Sequence, residues 1–147
     1  MSRSLAVVLT ALVGGAVAMQ APINSRLGKS VGTFQAAFFS FAIGTVALLV
    51  IASFAGGGLG GLRHVRSVPW YYLTGGLLGV CYVSTVLVTV RTLGAGGVTA
   101  ATIAGQLTLA VVIDQLGWLG VAQRQITASR IAGIVLLAAG VYLVVRN

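Results

Sequence analysis

Apolar runs of about 20 residues follow one another along the whole chain, separated by short stretches that carry Arg and Lys singly or in pairs. A run of about that length is what an α-helix needs to cross the hydrocarbon core of a bilayer. Five such runs with short links account for all 147 residues. The pattern predicts an all-α integral membrane protein with one membrane domain over residues 1–147. Its five transmembrane helices fall near 4–24, 34–54, 69–90, 98–118 and 130–146. Charged residues make up 7% of the chain against about 25% in soluble domains, so it could not cover a water-facing surface. These residues leave no room for a soluble catalytic or binding domain. A net charge of +8 in a soluble protein would suggest nucleic acid. Here the cations are placed as membrane-loop charges are, and nucleic acid is not an expected partner.

The fourth run, 99–118, reads TAATIAGQLTLAVVIDQLGW and holds Asp114, the one acidic residue among nine Lys and Arg. A carboxylate at the centre of a bilayer costs about 2.5–3.5 kcal/mol on insertion scales. Asp114 is therefore a candidate proton-exchanging group, or a counter-ion for a cationic substrate. Alternatively it lies at the headgroup boundary, four residues from the anchor Trp118, and pairs there with Arg124 or Arg130; or it caps or bridges helices. Thr102, Gln106 and Asp114 share one broad face, drifting by about 40° per four residues. Gln106 lies deeper, and its amide must find partners.

The first run, 5–21, includes Ala16-Val17-Ala18, which has the small-x-small look of a signal cleavage site, but it continues through Pro22, Ile23 and Asn24. Pro22 cannot donate to Ala18 and predicts a kink. Gln20 and Asn24, four residues apart, share the face beside it. Polar groups at a disturbed helix are one way to line a transport site; the plainer reading puts both at the membrane surface. Residues 28–32, with Lys29, read as a loop. Ala36, Ser40 and Gly44 then recur every four residues, a surface for close helix approach, while Phe34, Phe38, Phe39 and Phe41 read as packing or interfacial residues rather than ligand contacts. The glycines at 56, 57, 58, 60 and 61 predict the longest loop, leading to Arg63, His64 and Arg66, with His64 solvated. Pro69 opens the third run in a favoured first-turn position, and Trp70, Tyr71 and Tyr72 form an interfacial anchor. Gly75 and Gly79 form a GxxxG pair, and Cys81 is a small packing residue. The short link 93–97 predicts antiparallel neighbours on either side of it. Residues 120–129 read as a loop, and Gly133 and Gly140 mark one stripe of the last run.

Five crossings put Arg3, Arg63, Arg66, Arg124 and Arg130 on one side, and Arg26, Lys29, Arg91 and Arg146 on the other. Five against four is almost no positive-inside bias. Such a chain can insert both ways, and two oppositely inserted copies form an antiparallel pair. Two odd-span halves joined end to end are inverted repeats, the plan of many secondary transporters. The chain reads as half of an inverted-repeat, ten-helix transporter.

Several stretches carry a family resemblance: Gly14-Gly15, Gln20-Ala21-Pro22-Ile23-Asn24 and Leu27-Gly28; Ala36-Ala37-Phe38-Phe39-Ser40-Phe41 with Gly44-Thr45; Pro69-Trp70-Tyr71 with Gly75-Gly76-Leu77-Leu78-Gly79; Ala104-Gly105-Gln106, Ile113-Asp114-Gln115 and Gly117; and Arg130-Ile131-Ala132-Gly133. Together they resemble the YdcZ-like inner-membrane exporters of the drug/metabolite transporter superfamily, over essentially the whole chain. Where most members of that pattern carry a proline before Leu-Gly, this chain has Thr92 before Leu93-Gly94. The resemblance implies a multi-pass protein of the bacterial inner membrane and a five-span half-transporter, with fused ten-span relatives. Small multidrug resistance proteins are similar in size class and pairing, but use a glutamate in the first span that this chain lacks.

The functional expectation is a proton-coupled exporter of a small molecule, working as an antiparallel homodimer or paired with a homologous half. Asp114 is the coupling acid, with Gln106, Gln20, Asn24 and Ser40 as polar lining. The alternatives are a non-transporting accessory or scaffold subunit that packs through glycine stripes, or a lipid-flippase component. An enzyme is not expected: the single His, Cys and acid lie on separate segments without triad or metal spacing, and no cofactor or metal is implied.

Overall fold

The computed structural model describes residues 2–55 and 58–146; Gly56 and Gly57 of the expected long loop lie outside the described residues. The architecture is helical, with no strand among the described residues. In order come α1 (Arg3–Val31), α2 (Thr33–Phe54), 3-10 stretches at Gly58–Ser67 and Trp70–Thr74, α3 (Gly75–Leu116), a 3-10 turn at Trp118–Gly120, and α4 (Ala128–Val145). Four helical stretches are long and apolar enough to cross a membrane.

Ser2 starts α1 by accepting the Leu5 N–H on its hydroxyl at 3.2 Å, which satisfies one of the donors a helix leaves free at its start. Pro22 stands inside α1, and the helix continues past it to Val31. The stretch 28–32 that reads as a loop is helical except for Gly32, whose φ of 98° turns the chain. Its N–H still reaches the Gly28 carbonyl at 3.0 Å. One glycine in a conformation that side-chain-bearing residues resist thus makes the whole α1–α2 corner.

Four hydroxyls of α2 and α3 are turned inward onto the helix's own backbone. Thr45 donates to the Phe41 carbonyl at 2.8 Å and Ser53 to that of Leu49 at 2.7 Å. Thr85 and Thr108 do the same to Cys81 and Ala104, each at 2.8 Å. Lipid offers no hydrogen bonds, so a hydroxyl on a membrane helix is satisfied in this way at no cost in partners.

The third run begins later as α-helix than its proline suggests. Pro69 flanks the 3-10 stretch of Trp70–Thr74, and regular helix starts at Gly75. The expected link 93–97 is reduced to Gly94, whose φ of 68° and ψ of 171° interrupt α3. Two compact units meet at this point in the chain, the first ending at Arg91 and the second beginning at Thr92.

The first unit packs α2 on the leading arm of α3 through Ala36 and Ala37, which lie against Val83, Leu87 and Tyr82. Ala36 is fully buried and Leu87 is 1% exposed. Small residues on α2 are what let the larger α3 side chains come this close. Gly79 leaves room for a ring: a Cβ there would lie 3.3 Å from Phe41 Cζ. In the second unit, Gly97 plays the same part for α4, where a Cβ would meet Val145 at 3.5 Å. By contrast a Cβ on Gly44, Gly133 or Gly140 would meet nothing within 4 Å, so these parts of the expected stripes are open within the chain.

A polar cleft on the first helix and an ion pair at the end of the third

Just past Pro22, α1 carries Asn24 and Ser25, the buried polar side chains among the described residues. Asn24 Nδ2 donates to Ser40 Oγ of α2 at 3.0 Å. An amide inside an apolar packing must find such a partner or forfeit its desolvation cost. Beside this bond lies a small cleft with Gln20, Asn24 and Tyr82 as its polar lining and Val17, Val83 and Leu87 among its apolar walls. It has about 10 Å³ of room, enough for about one water molecule.

One turn further along α1 the packing is closed by Arg91 from the end of the leading α3 arm. Its Nε donates to Ser25 Oγ at 3.4 Å and its Nη2 to Thr33 Oγ1 at 3.3 Å. The guanidinium lies over Gly28, where a Cβ would stand 3.3 Å from Nη2.

The second unit holds the acid. Asp114 Oδ2 pairs with Arg130 Nη2 at 3.2 Å, each side chain 27% exposed. Arg130 Nη1 is buried without a hydrogen-bond partner. Around the pair, the chain after α3 is tied back to the helix end. Arg124 donates its backbone N–H to the Asp114 carbonyl at 2.8 Å. The Gln115 side-chain Oε1 accepts the Ile126 N–H at 2.6 Å, and the Gln115 backbone carbonyl accepts from Gln123 Nε2 at 2.8 Å. The return is possible because Gly117 and Gly120 take positive φ, 63° and 78°, with Leu119 joining them at 58°. Thr127 then caps α4 by accepting the Arg130 N–H at 3.4 Å, which sets the arginine's place in the first turn of α4.

Residues 5–143 match the family model described as "Putative inner membrane exporter, YdcZ". The chain belongs to the YdcZ family of inner-membrane exporters. No curated protein and no solved structure matches it. The match runs through both units, so this YdcZ-family chain is a multi-pass membrane transporter of the inner membrane along almost all of its length.

In this YdcZ-family protein three of the polar residues singled out from sequence come together in the first unit: Asn24 bonds Ser40, and Gln20 lines the cleft beside them. Gln106 and Asp114 stand on the trailing arm of α3, eight residues apart or about 12 Å along the axis, with Gln106 exposed. Of the two arginines considered as partners for Asp114, Arg130 takes the carboxylate and Arg124 contributes only its backbone. Ser25, Thr33 and Tyr82 are absent from the sequence reading, and Arg91 appears there only as a topology charge. The separation of 66 residues between Ser25 and Arg91 leaves no local pattern to detect. The one available hint is Ser25 following Asn24 directly after a helical proline.

Proposed function

We propose that this YdcZ-family chain is a five-span half of a ten-helix, inverted-repeat exporter, working as an antiparallel dimer and coupling small-molecule export to proton exchange at Asp114. The span count is supported by α3. Its 42 residues would extend about 63 Å as one helix, twice a hydrocarbon core of about 30 Å. With Gly94 interrupting it, each arm of roughly 20 residues suits one crossing.

The observation that carries the substrate site is the Asn24–Ser40 bond beside a cleft that also presents Gln20 and Tyr82. Polar side chains are expensive in membrane helices and mark transport paths. A small-molecule site needs several hundred Å³, whereas this cleft admits about one water. In this reading a second copy faces Gln20 and completes the cavity. Asp114 is the coupling acid in this reading, and Arg130 is the group that holds its carboxylate.

The test is substrate-dependent proton movement in proteoliposomes across a compound panel, wild type against Asp114→Asn. Loss of coupled flux by more than about tenfold, about 1.4 kcal/mol of barrier, with folding and dimerisation intact, is the expected result. Unchanged flux in the variant would reduce Asp114 to an anchor for α4. Flux from neither protein would favour the accessory-subunit reading.

A further inference from the structure

The first unit contains no acidic residue, because the chain's one acid is Asp114 in the second unit, where it is paired with Arg130. Arg91 is nonetheless held in a defined place. Its guanidinium rests over Gly28 and touches two hydroxyls, Ser25 and Thr33, at 3.4 and 3.3 Å. Those bonds are long for a charged donor, which approaches an anion at about 2.8 Å. Hydroxyl groups orient the guanidinium without neutralising it, and they engage only Nε and Nη2. The Nη1 edge has no side-chain partner among the described residues, and Arg91 is exposed. Lys29 adds a second cation one helical turn beyond Ser25 on α1. All of this sits at the α1–α2 corner, where Gly32 turns the chain.

We propose that this corner is a phosphate-binding site, with Arg91 as the bidentate ligand seated by Ser25, Gly28 and Thr33, and Lys29 as the accompanying charge. A planar guanidinium with a free edge matches two phosphate oxygens, and basic pockets between membrane helices bind phosphate headgroups. The phosphate belongs either to an anionic lipid or to a soluble phosphate-bearing ion.

The experiment uses the full chain purified in a maltoside detergent, which carries no phosphate, titrated with phosphatidylglycerol and separately with inorganic phosphate. Bound ligand is counted by native mass spectrometry. Phosphatidylglycerol should bind the wild type roughly tenfold more tightly than Arg91→Gln, the order of one charged hydrogen-bonded pair. Arg63→Gln removes the same charge from another segment and should leave binding unchanged. Competition by inorganic phosphate, or its own Arg91-dependent binding, would identify a soluble ion as the source; its failure to compete would identify the lipid. Should Arg91→Gln not fold, the pair Ser25→Ala with Thr33→Val keeps the charge and removes the seat, and must weaken binding. Equal losses in Arg63→Gln and Arg91→Gln, no binding of either ligand by the wild type, or tight binding by the seat variant would overturn the site.

Discussion

Two polar pairs hold most of what can be tested at the scale of single residues. Asn24 and Ser40 satisfy each other between α1 and α2, and hydrogen bonds between membrane helices average about 0.6 kcal/mol with a ceiling near 1.7. Asn24 is buried, so Ser40→Ala should cost about 1 kcal/mol, and Asn24→Ala together with Ser40→Ala should cost little more than either alone. Reversible unfolding in mixed micelles measures the coupling, and fully additive losses would mean the bond contributes nothing. Asp114 and Arg130 behave differently, because removing one partner leaves a charge behind. Asp114→Asn strands a guanidinium whose Nη1 already lacks a partner. Asp114→Asn combined with Arg130→Gln should therefore be the more stable protein, by about 1 kcal/mol, since both groups are partly solvated and the full buried-pair penalty does not apply. A double variant less stable than the single would show that Arg130 is held by something other than Asp114. Which residues were legible follows from range. Gln20 and Asn24 stand out because four-residue spacing puts them on one face, and Ser40 because it belongs to a periodic stripe. Arg91 did not, since its partners lie 58 and 66 residues away and a cation at the end of an apolar run looks like any other.

Between elements, conformation rather than contact decides the outcome. The apolar runs were enough to place α1, α2 and α4, because a helix is the structure that satisfies a backbone in lipid. Their ends were harder to read. Glycine clusters suggested loops at 28–32 and 93–97, yet only Gly32 and Gly94 leave the helical region; a glycine inside a membrane helix weakens it too little to stop it when the neighbours are apolar. Pro22 predicts a kink in α1, and helix lies on both sides of it. At Gly94 a φ of 68° with a ψ of 171° is open essentially to glycine alone, and another residue there is strained by about 1–3 kcal/mol. Gly94→Ala should destabilise the protein by that amount even though a Cβ would meet nothing within 4 Å. Gly105→Ala, in helical conformation with equal space around it, should be neutral or gain up to about 1 kcal/mol from helix propensity. Melting temperatures of the two variants in one detergent separate the effects. Equal values would mean that α3 can straighten at residue 94.

For the whole molecule the decisive quantity is a small difference in charge. How two copies are arranged is not written in the helices of one, since an apolar surface suits lipid and protein alike. The loops carry the information: on the proposed five crossings, five basic residues would face one way and four the other. Orientation follows that count, so a chain this evenly balanced should insert both ways. A C-terminal fluorescent reporter that works only in the cytoplasm and a phosphatase that works only outside it should then both give signal. The balance can also be tipped deliberately. Arg3→Gln, Arg63→Gln and Arg66→Gln together remove three of the five and leave two against four, while Arg26→Gln with Arg146→Gln removes two of the four and leaves five against two. Each set should lock one orientation, the second more firmly. If the exporter is an antiparallel dimer, each locked form alone should lose transport, and co-expression of the two should restore it, because only together do they supply both orientations. Full transport from one locked form by itself would require parallel copies or a working monomer, and the near-equality of the loop charges would then have no functional meaning.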